Sequence, residues 1–358
     1  RPDGKPWEAG SVDPGHEPGE LSVGNRTVVI LGRGDYDPEP LLRLGSQRGA
    51  PVLVTALSGG RGRGGLTSYH YLLVDGVPEH LRPDTVLVVG QPGPSNRLRS
   101  LMEDSHVVVF DRWGQFSDIS GTMSRGVAGA PLSTLERVLG DQEGGWAEMW
   151  SEAEDNVRRA LEDRLASSDE LTGPAVAREL GGIESGALVV ASSLPIRDVD
   201  AHTLSANPIV SNRGVSGIDG FVSTSLGVAD LLPRTLALAG DLSLLHDSNG
   251  FLTDRPPSAV FVVVDNGGGG LFDLLPQAHH APGFERLFVT NPVRDIEKLA
   301  GFHRLSYEAV GSIGDLKPAA VSALERDGIT LLHVRVDRAV DLEMRRDLDQ
   351  AARGALAT

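Results

Sequence analysis

Short, unbroken runs of apolar, mostly β-branched residues recur along the chain, and the stretches between them carry apolar residues at helical spacing. Thr27–Leu31, Val52–Thr55, Val86–Val89 and Val107–Phe110 are such runs. A strand buried on both faces of a parallel sheet reads this way, whereas a half-solvated strand alternates. Helical stretches are predicted around Glu39–Leu44, Thr67–Leu73 and Arg97–Glu103, so residues 25–140 form one α/β layer domain. After the turn-rich Gly140–Gly145, the residues Trp146, Met149, Trp150, Ala153, Val157, Leu161 and Leu165 keep one face of a long helix. The tryptophan pair belongs to the core of that helix more readily than to a ligand platform. A second alternation follows over 141–358, with strands Leu188–Ala191, Thr235–Leu238, Val260–Val264 and Thr330–Val336. Its helices are predicted near Ser216–Ala229, Leu316–Asp327 and Leu342–Leu356. The fold class is α/β: two successive three-layer domains with mainly parallel sheets.

Length and composition fit this organisation. A chain of 358 residues suits two domains. Residues 1–24, with Pro2, Pro6, Pro14 and Pro18 among glycines, read as an interdomain linker, so a further domain is expected upstream. The formal charge of -16 argues against nucleic acid or an anionic membrane as principal partner. No apolar run approaches the ~18 residues of a membrane span. Cysteine is absent, which removes disulfides, thiolate catalysis and zinc–cysteine sites and fits a cytoplasmic setting.

Candidate chemistry concentrates between Gly240 and Gln277. One apolar strand ends in Gly240-Asp241, and the next ends in Asp265-Asn266 followed by the four glycines 267–270. Asp241 and Asn266 are 25 residues apart, enough for a crossover between adjacent parallel strands, so both oxygens can converge on one hard cation. Glycines let the main chain approach a ligand without Cβ obstruction. A magnesium ion shared with a diphosphate is the expected occupant. A turn with a helix cap accounts for Gly240-Asp241 equally well. The glycine run at the end of an all-apolar strand is the stronger signal.

Three local texts carry a resemblance: Ser-Asn-Arg-Gly-Val-Ser-Gly-Ile-Asp-Gly (211–220), Gly-Asp-Leu-Ser-Leu-Leu-His-Asp (240–247) and Asp-Asn-Gly-Gly-Gly-Gly-Leu-Phe-Asp-Leu-Leu-Pro-Gln (265–277). Together they resemble the metal–diphosphate signature of thiamine-diphosphate enzymes in its MenD branch, the synthases of 2-succinyl-5-enolpyruvyl-6-hydroxy-3-cyclohexene-1-carboxylate. The resemblance runs to the C-terminus and is weakest over residues 1–90. It implies Mg²⁺ (or Mn²⁺) held by Asp241, Asn266 and the Gly268 carbonyl, and thiamine diphosphate met by Asp241, Leu242, Ser216, Ile218 and Asn266. Ile218 would lie under the bend of the cofactor; Ser216, at the start of the same helix, would meet the cofactor or cap the helix. Asp265 stands where the wider signature has asparagine and is a competing metal ligand. Arg213, Arg197 and Ser193 would read substrate carboxylates, with Arg97 a further candidate, while Leu271, Phe272 and Leu275 would line the pocket wall. Arg61 and Arg63 lie in a glycine-rich loop that reads as a mobile surface loop or an anion site. Among His246, His279, His280 and His303 none has a recognisable partner spacing.

The same resemblance implies decarboxylation of 2-oxoglutarate and addition of its succinyl-semialdehyde unit to isochorismate, in menaquinone biosynthesis. The activating glutamate lies in the family on an N-terminal pyrimidine-binding domain that nothing here matches, so this chain is expected to hold no catalytic residue of that kind and to be inactive alone. A site shared between subunits implies a homodimer or homotetramer. Two other readings stay open: a different thiamine-diphosphate carboligase resembling acetolactate synthase, and a non-catalytic Mg–diphosphate-binding module.

Overall fold

The structure, a computed structural model, describes residues 21, 23–93, 95–117, 121–280, 282–290 and 295–357. Most of the linker expected over 1–24 lies outside the described residues. Two compact units are present. The first takes the chain to Gly60, with Gly64–Leu66 and Gly76–Ser151, and the second holds Arg61–Arg63, Thr67–Asp75 and Glu152–Thr358.

The first unit is built on a parallel sheet of β1 (Thr27–Leu31), β2 (Val52–Val54), β3 (Thr85–Val89), β4 (His106–Asp111) and β5 (Met123–Ala128), in the order β2-β1-β3-β4-β5. Every residue of β1, β2 and β3 is buried. That is why those strands are written in valine, leucine and isoleucine, each buried side chain contributing roughly 1.5–3 kcal/mol. Trp146 and Trp150 are fully buried and meet edge to face, and the Trp146 indole donates to the Thr27 carbonyl at 3.0 Å. The pair is core, as its spacing indicated.

The second unit carries a six-stranded parallel sheet of β6 (Ala187–Val190), β7 (Ile209–Val210), β8 (Thr235–Gly240), β9 (Ala259–Asp265), β10 (Ser306–Val310) and β11 (Ile329–Arg335), ordered β10-β11-β9-β8-β6-β7. Phe261 on β9 anchors the core beneath Phe221 and Phe251. Gly240 on β8 stands level with Val264 on β9. The residues that follow them, Asp241 and Asp265-Asn266, therefore leave the sheet side by side.

Arg61 departs from both readings of its loop, while Arg63 is exposed. Arg61 is buried in the second unit and donates to the carbonyl oxygens of Asp200 and Thr203. Tyr69 donates to the Asp200 carboxylate at 2.6 Å, and the main-chain N–H groups of Thr67 and Ser68 bond Glu154 at 3.0 Å. These hydrogen bonds staple Arg61 and the start of Thr67–Asp75 within the second unit, although Arg61 Nε is buried without a partner. Beside them, burial pushes the His202 ring down to about 3, and its Nε2 lies 3.1 Å from the Tyr71 hydroxyl.

Candidate functional site

In the second sheet β6 connects to β7 on one side, whereas β8 connects to β9 on the other. Chains leaving neighbouring strands in opposite directions open a crevice at the carboxyl ends, the usual ligand position in open α/β sheets. A cavity of about 190 Å³ occupies this place. Its walls come from the end of β6 (Ser192–Pro195), the end of β8 (Gly240–Ser243), the end of β9 (Val264 and Asn266) and the segment Gly269–Phe272.

Asp241 follows β8 directly and is buried, its Oδ1 accepting the Leu242 N–H at 2.8 Å. Asn266 lines the same cavity from the next strand, and its Oδ1 accepts the Gly268 N–H at 3.1 Å. Gly267, Gly268 and Gly269 all have positive φ, at 75°, 86° and 75°, so this turn is closed to residues with a Cβ at little cost. Gly270 serves a different end: a Cβ there would stand 2.5 Å from the Asn266 amide nitrogen. The glycine run thus shapes the turn and leaves room for the Asn266 side chain.

The donor set suits a hard cation, because a carboxylate and a carboxamide from neighbouring strand ends offer oxygen to one cavity. Among the described residues there is no cluster of three or more His, Asp or Glu that could hold a metal by itself. A metal here would need main-chain or ligand oxygens as well. Asp265 interacts with Asp241 and has partners of its own: its carboxylate lies 2.9 Å from His333 Nε2 and accepts the Gly267 N–H at 3.1 Å. The His333 hydrogen bond, with that N–H, holds the Asp265 carboxyl below the usual carboxylate range. His333 Nδ1 in turn meets the Tyr307 hydroxyl at 2.9 Å.

Several of the other expected residues gather at the same rim. Ile218, Leu242, Leu271, Phe272 and Ser193 line the cavity. Ser193 adopts φ 79°, and its carbonyl accepts from Arg197 Nη1 at 2.6 Å. Burial lowers the Arg197 pKa. Arg213 Nη1 reaches Ser192 Oγ at 3.5 Å, and that hydroxyl donates to the Asn212 carbonyl. Both arginines bond residues of the cavity wall and are half-buried, without lining the cavity themselves. Leu275 ends the Gly270–Leu274 turn outside the lining. Arg97 opens the helix Arg97–Glu103 of the first unit.

The position of Ser216 is a correction. The helix begins at Phe221 after Gly220 in the left-handed conformation, so Ser216 and Ile218 precede it in a loop. Ser216 is exposed with φ 61° and caps nothing. Sequence reasoning also passed over Ser192, Asp198, Asp341 and Arg345, which line the cavity from elements distant in sequence.

No protein-family model matches the chain. It is 41% identical over 360 residues to the 2-succinyl-5-enolpyruvyl-6-hydroxy-3-cyclohexene-1-carboxylate synthase of Thermobifida fusca, covering 95% of this chain and 62% of that protein. Synthases of the same name from Rubrobacter xylanophilus (34% identity, 93% and 62% covered) and Nocardioides (33%, 95% and 66%) are similar to it over comparable spans. The chain thus spans roughly three fifths of the length of these curated relatives. With the three glycine-marked texts meeting at one cavity and identity sustained across nearly its whole length, the chain belongs to the MenD family of 2-succinyl-5-enolpyruvyl-6-hydroxy-3-cyclohexene-1-carboxylate synthases.

Proposed function

We propose that this chain is the central and diphosphate-binding part of a thiamine-diphosphate- and Mg²⁺-dependent transferase. That enzyme would decarboxylate 2-oxoglutarate and join the remaining four-carbon unit to isochorismate in menaquinone biosynthesis. The observation that carries this reading is the convergence of Asp241 and Asn266, from adjacent parallel strand ends, on one cavity over a run of left-handed glycines.

In this reading Asp241, Asn266 and the Gly268 carbonyl would hold the divalent metal that anchors the cofactor's diphosphate. Bound there, the cofactor would supply the carbon nucleophile and the electron sink for loss of CO₂. Ile218 and Leu242 keep it seated. Leu271 and Phe272 make the neighbouring wall apolar and exclude water from the reacting centre. Arg197 and Arg213, with Arg97 from the central domain, read substrate carboxylates, and a guanidinium fork suits that task better than an ammonium. Ser193 fixes Arg197 through its carbonyl. Asp265, bonded to His333 and Gly267 and next to Asp241, stays a competing ligand beside Asn266. The activating glutamate belongs to a pyrimidine-binding domain outside these residues. Function in the cytoplasm as a homodimer or homotetramer completes the proposal. Among the described residues no helix is long and apolar enough to cross a membrane.

The test is a donor-swap assay on the full-length protein with cofactor, Mg²⁺ and isochorismate. CO₂ release from 2-oxoglutarate with product formation is the expected result. Turnover of pyruvate instead would point to an acetolactate-synthase-like carboligase. Cofactor binding without turnover of either donor would point to a non-catalytic binding module. The 358 residues alone should show no turnover, and robust activity from them would refute the need for the pyrimidine-binding domain and its glutamate.

A further inference from the structure

The C-terminal helix Arg338–Leu356 places three charged side chains, Arg338, Asp341 and Arg345, on one face, since positions three, four and seven apart align on a helix. Each end of this face grips a different wall of the cavity. Arg345 forks onto Asp198 with contacts of 2.5 and 2.9 Å, and its Nε bonds Asp341 at 2.8 Å. Asp198 lies on the helix Leu194–His202, one residue beyond Arg197 and five beyond Ser193. The other Asp341 oxygen accepts the Gly173 N–H at 2.7 Å. Arg338, two turns earlier, forks onto Asp273 at 2.9 and 2.6 Å, and Asp273 lies in the turn that carries Leu271 and Phe272.

The arginine–carboxylate cluster at Arg345 is an expensive way to fill space. Its side chains are only 15%, 6% and 11% exposed for Arg345, Asp198 and Asp341. Removing such charges from water costs so much that a well-packed apolar cluster is generally as stable or more so. What a bidentate fork adds is direction, because it fixes a carboxylate in distance and in plane. Gly173 shows how tightly the place is filled: a Cβ there would stand 2.5 Å from Asp198 Oδ2 and 2.7 Å from Arg345 Nη2.

We propose that Arg338 and Arg345 are positioning residues that act as a ruler across the cavity, setting the separation between the Ser193–Arg197 wall and the Leu271–Phe272 wall. The inference rests on the cofactor-binding reading above for what the gap accommodates. Arg345 governs how the donor-carboxylate wall is presented, and Arg338 governs how closely the apolar wall meets the cofactor. Neither touches the reacting atoms.

The experiment uses the full-length protein with R338Q, R345K, and R345M as the harsher second variant. Hydrogen exchange is read without cofactor, and thiamine-diphosphate affinity is read by calorimetry with Mg²⁺. R338Q is expected to speed exchange over 266–275 and to weaken cofactor binding by about tenfold, a scale set by the 10–100-fold effects of outer-shell partners. R345K keeps the charge and loses the fork. It is expected to speed exchange over 193–202 and to raise KM for 2-oxoglutarate by about tenfold with kcat within about twofold, a split that general destabilisation would not give. The charge swap R338D/D273R should restore protection and affinity. Unchanged exchange in both wall segments, or a loss spread evenly over the second unit, would overturn the ruler, and R345K decides this if R345M does not fold. A wild-type protein that binds no cofactor would contradict the functional reading alone, and the exchange arm would still decide the ruler.

Discussion

The two sheets share a topological device and put it to opposite ends. In the first unit β1 connects outward to β2, while β3 connects the other way to β4, so a crevice is due at their carboxyl ends just as it is between β6 and β8. There it is closed by main chain. Arg33 and Gln91 exchange both backbone hydrogen bonds at 2.8 Å, and the Arg33 guanidinium bonds the Gln91 side chain at 2.5 Å. Gly32 and Gly90 permit that approach: a Cβ would stand 2.0 Å from the Gln91 oxygen at the first and 2.4 Å from the Arg33 oxygen at the second. In the second unit the pairing runs only to Ala191, which bonds the Leu238 carbonyl, and beyond it the walls part around a cavity. Topology supplies the crevice. The residues just past the strand ends decide whether it is zipped or open, and glycine serves both outcomes.

The largest contrast is expected from Asp241→Ala. It should weaken Mg²⁺-dependent cofactor binding in the full-length protein by at least about a hundredfold, beyond the loss of an outer-shell partner, while denaturation midpoints hardly move. Unchanged affinity by calorimetry would remove the metal assignment. Gly32→Ala should do the reverse. Forcing a Cβ against the Gln91 carbonyl should destabilise the first unit by about 3 kcal/mol, read in denaturant, with cofactor affinity unaltered.

A third effect depends on pH and belongs to the second unit. The folded His202 pKa, about 3, lies below its reference of 6.5, so the folded state holds fewer protons than the unfolded one in between. Its contribution is therefore intact above the reference value and is lost as pH falls toward the folded one. Between pH 7 and 5 the loss should be about 2 kcal/mol, read as exchange of the amides in Leu194–His202, and His202→Gln should flatten that slope. The smallest effect is expected from Gly270→Ala. By crowding the Asn266 amide it should cost about tenfold in cofactor affinity by calorimetry, without the stability loss of Gly32→Ala.

What could be read in the sequence follows from burial. β1, β3, β8 and β9 are covered on both faces, so their apolar runs stand out against any background. β5 and β10 are edge strands with mixed exposure, written Met-Ser-Arg-Gly-Val-Ala and Ser-Tyr-Glu-Ala-Val, and β7 has only two half-buried residues. They escaped because partly covered strands carry no continuous apolar signal, whereas β2, also at an edge, is buried throughout and was read. Asp241 and Asn266 were legible because strand-end chemistry is local and the glycines mark it. Ser216 was misread as a helix start because Gly220, at φ 67°, delays the helix to Phe221. The Arg345–Asp198 pair was beyond reach, since 147 residues separate its members and only the folded sheet brings them together.

The central claim is that Asp241 and Asn266 jointly hold a divalent cation that anchors a diphosphate. Its most direct test is anomalous diffraction from crystals of the full-length protein grown with thiamine diphosphate and Mn²⁺. A single strong peak bonded to oxygens of both side chains, at about 2.2 Å, is the predicted result. A peak bound to Asp265 in place of Asn266, or no peak between the ends of β8 and β9, would contradict it.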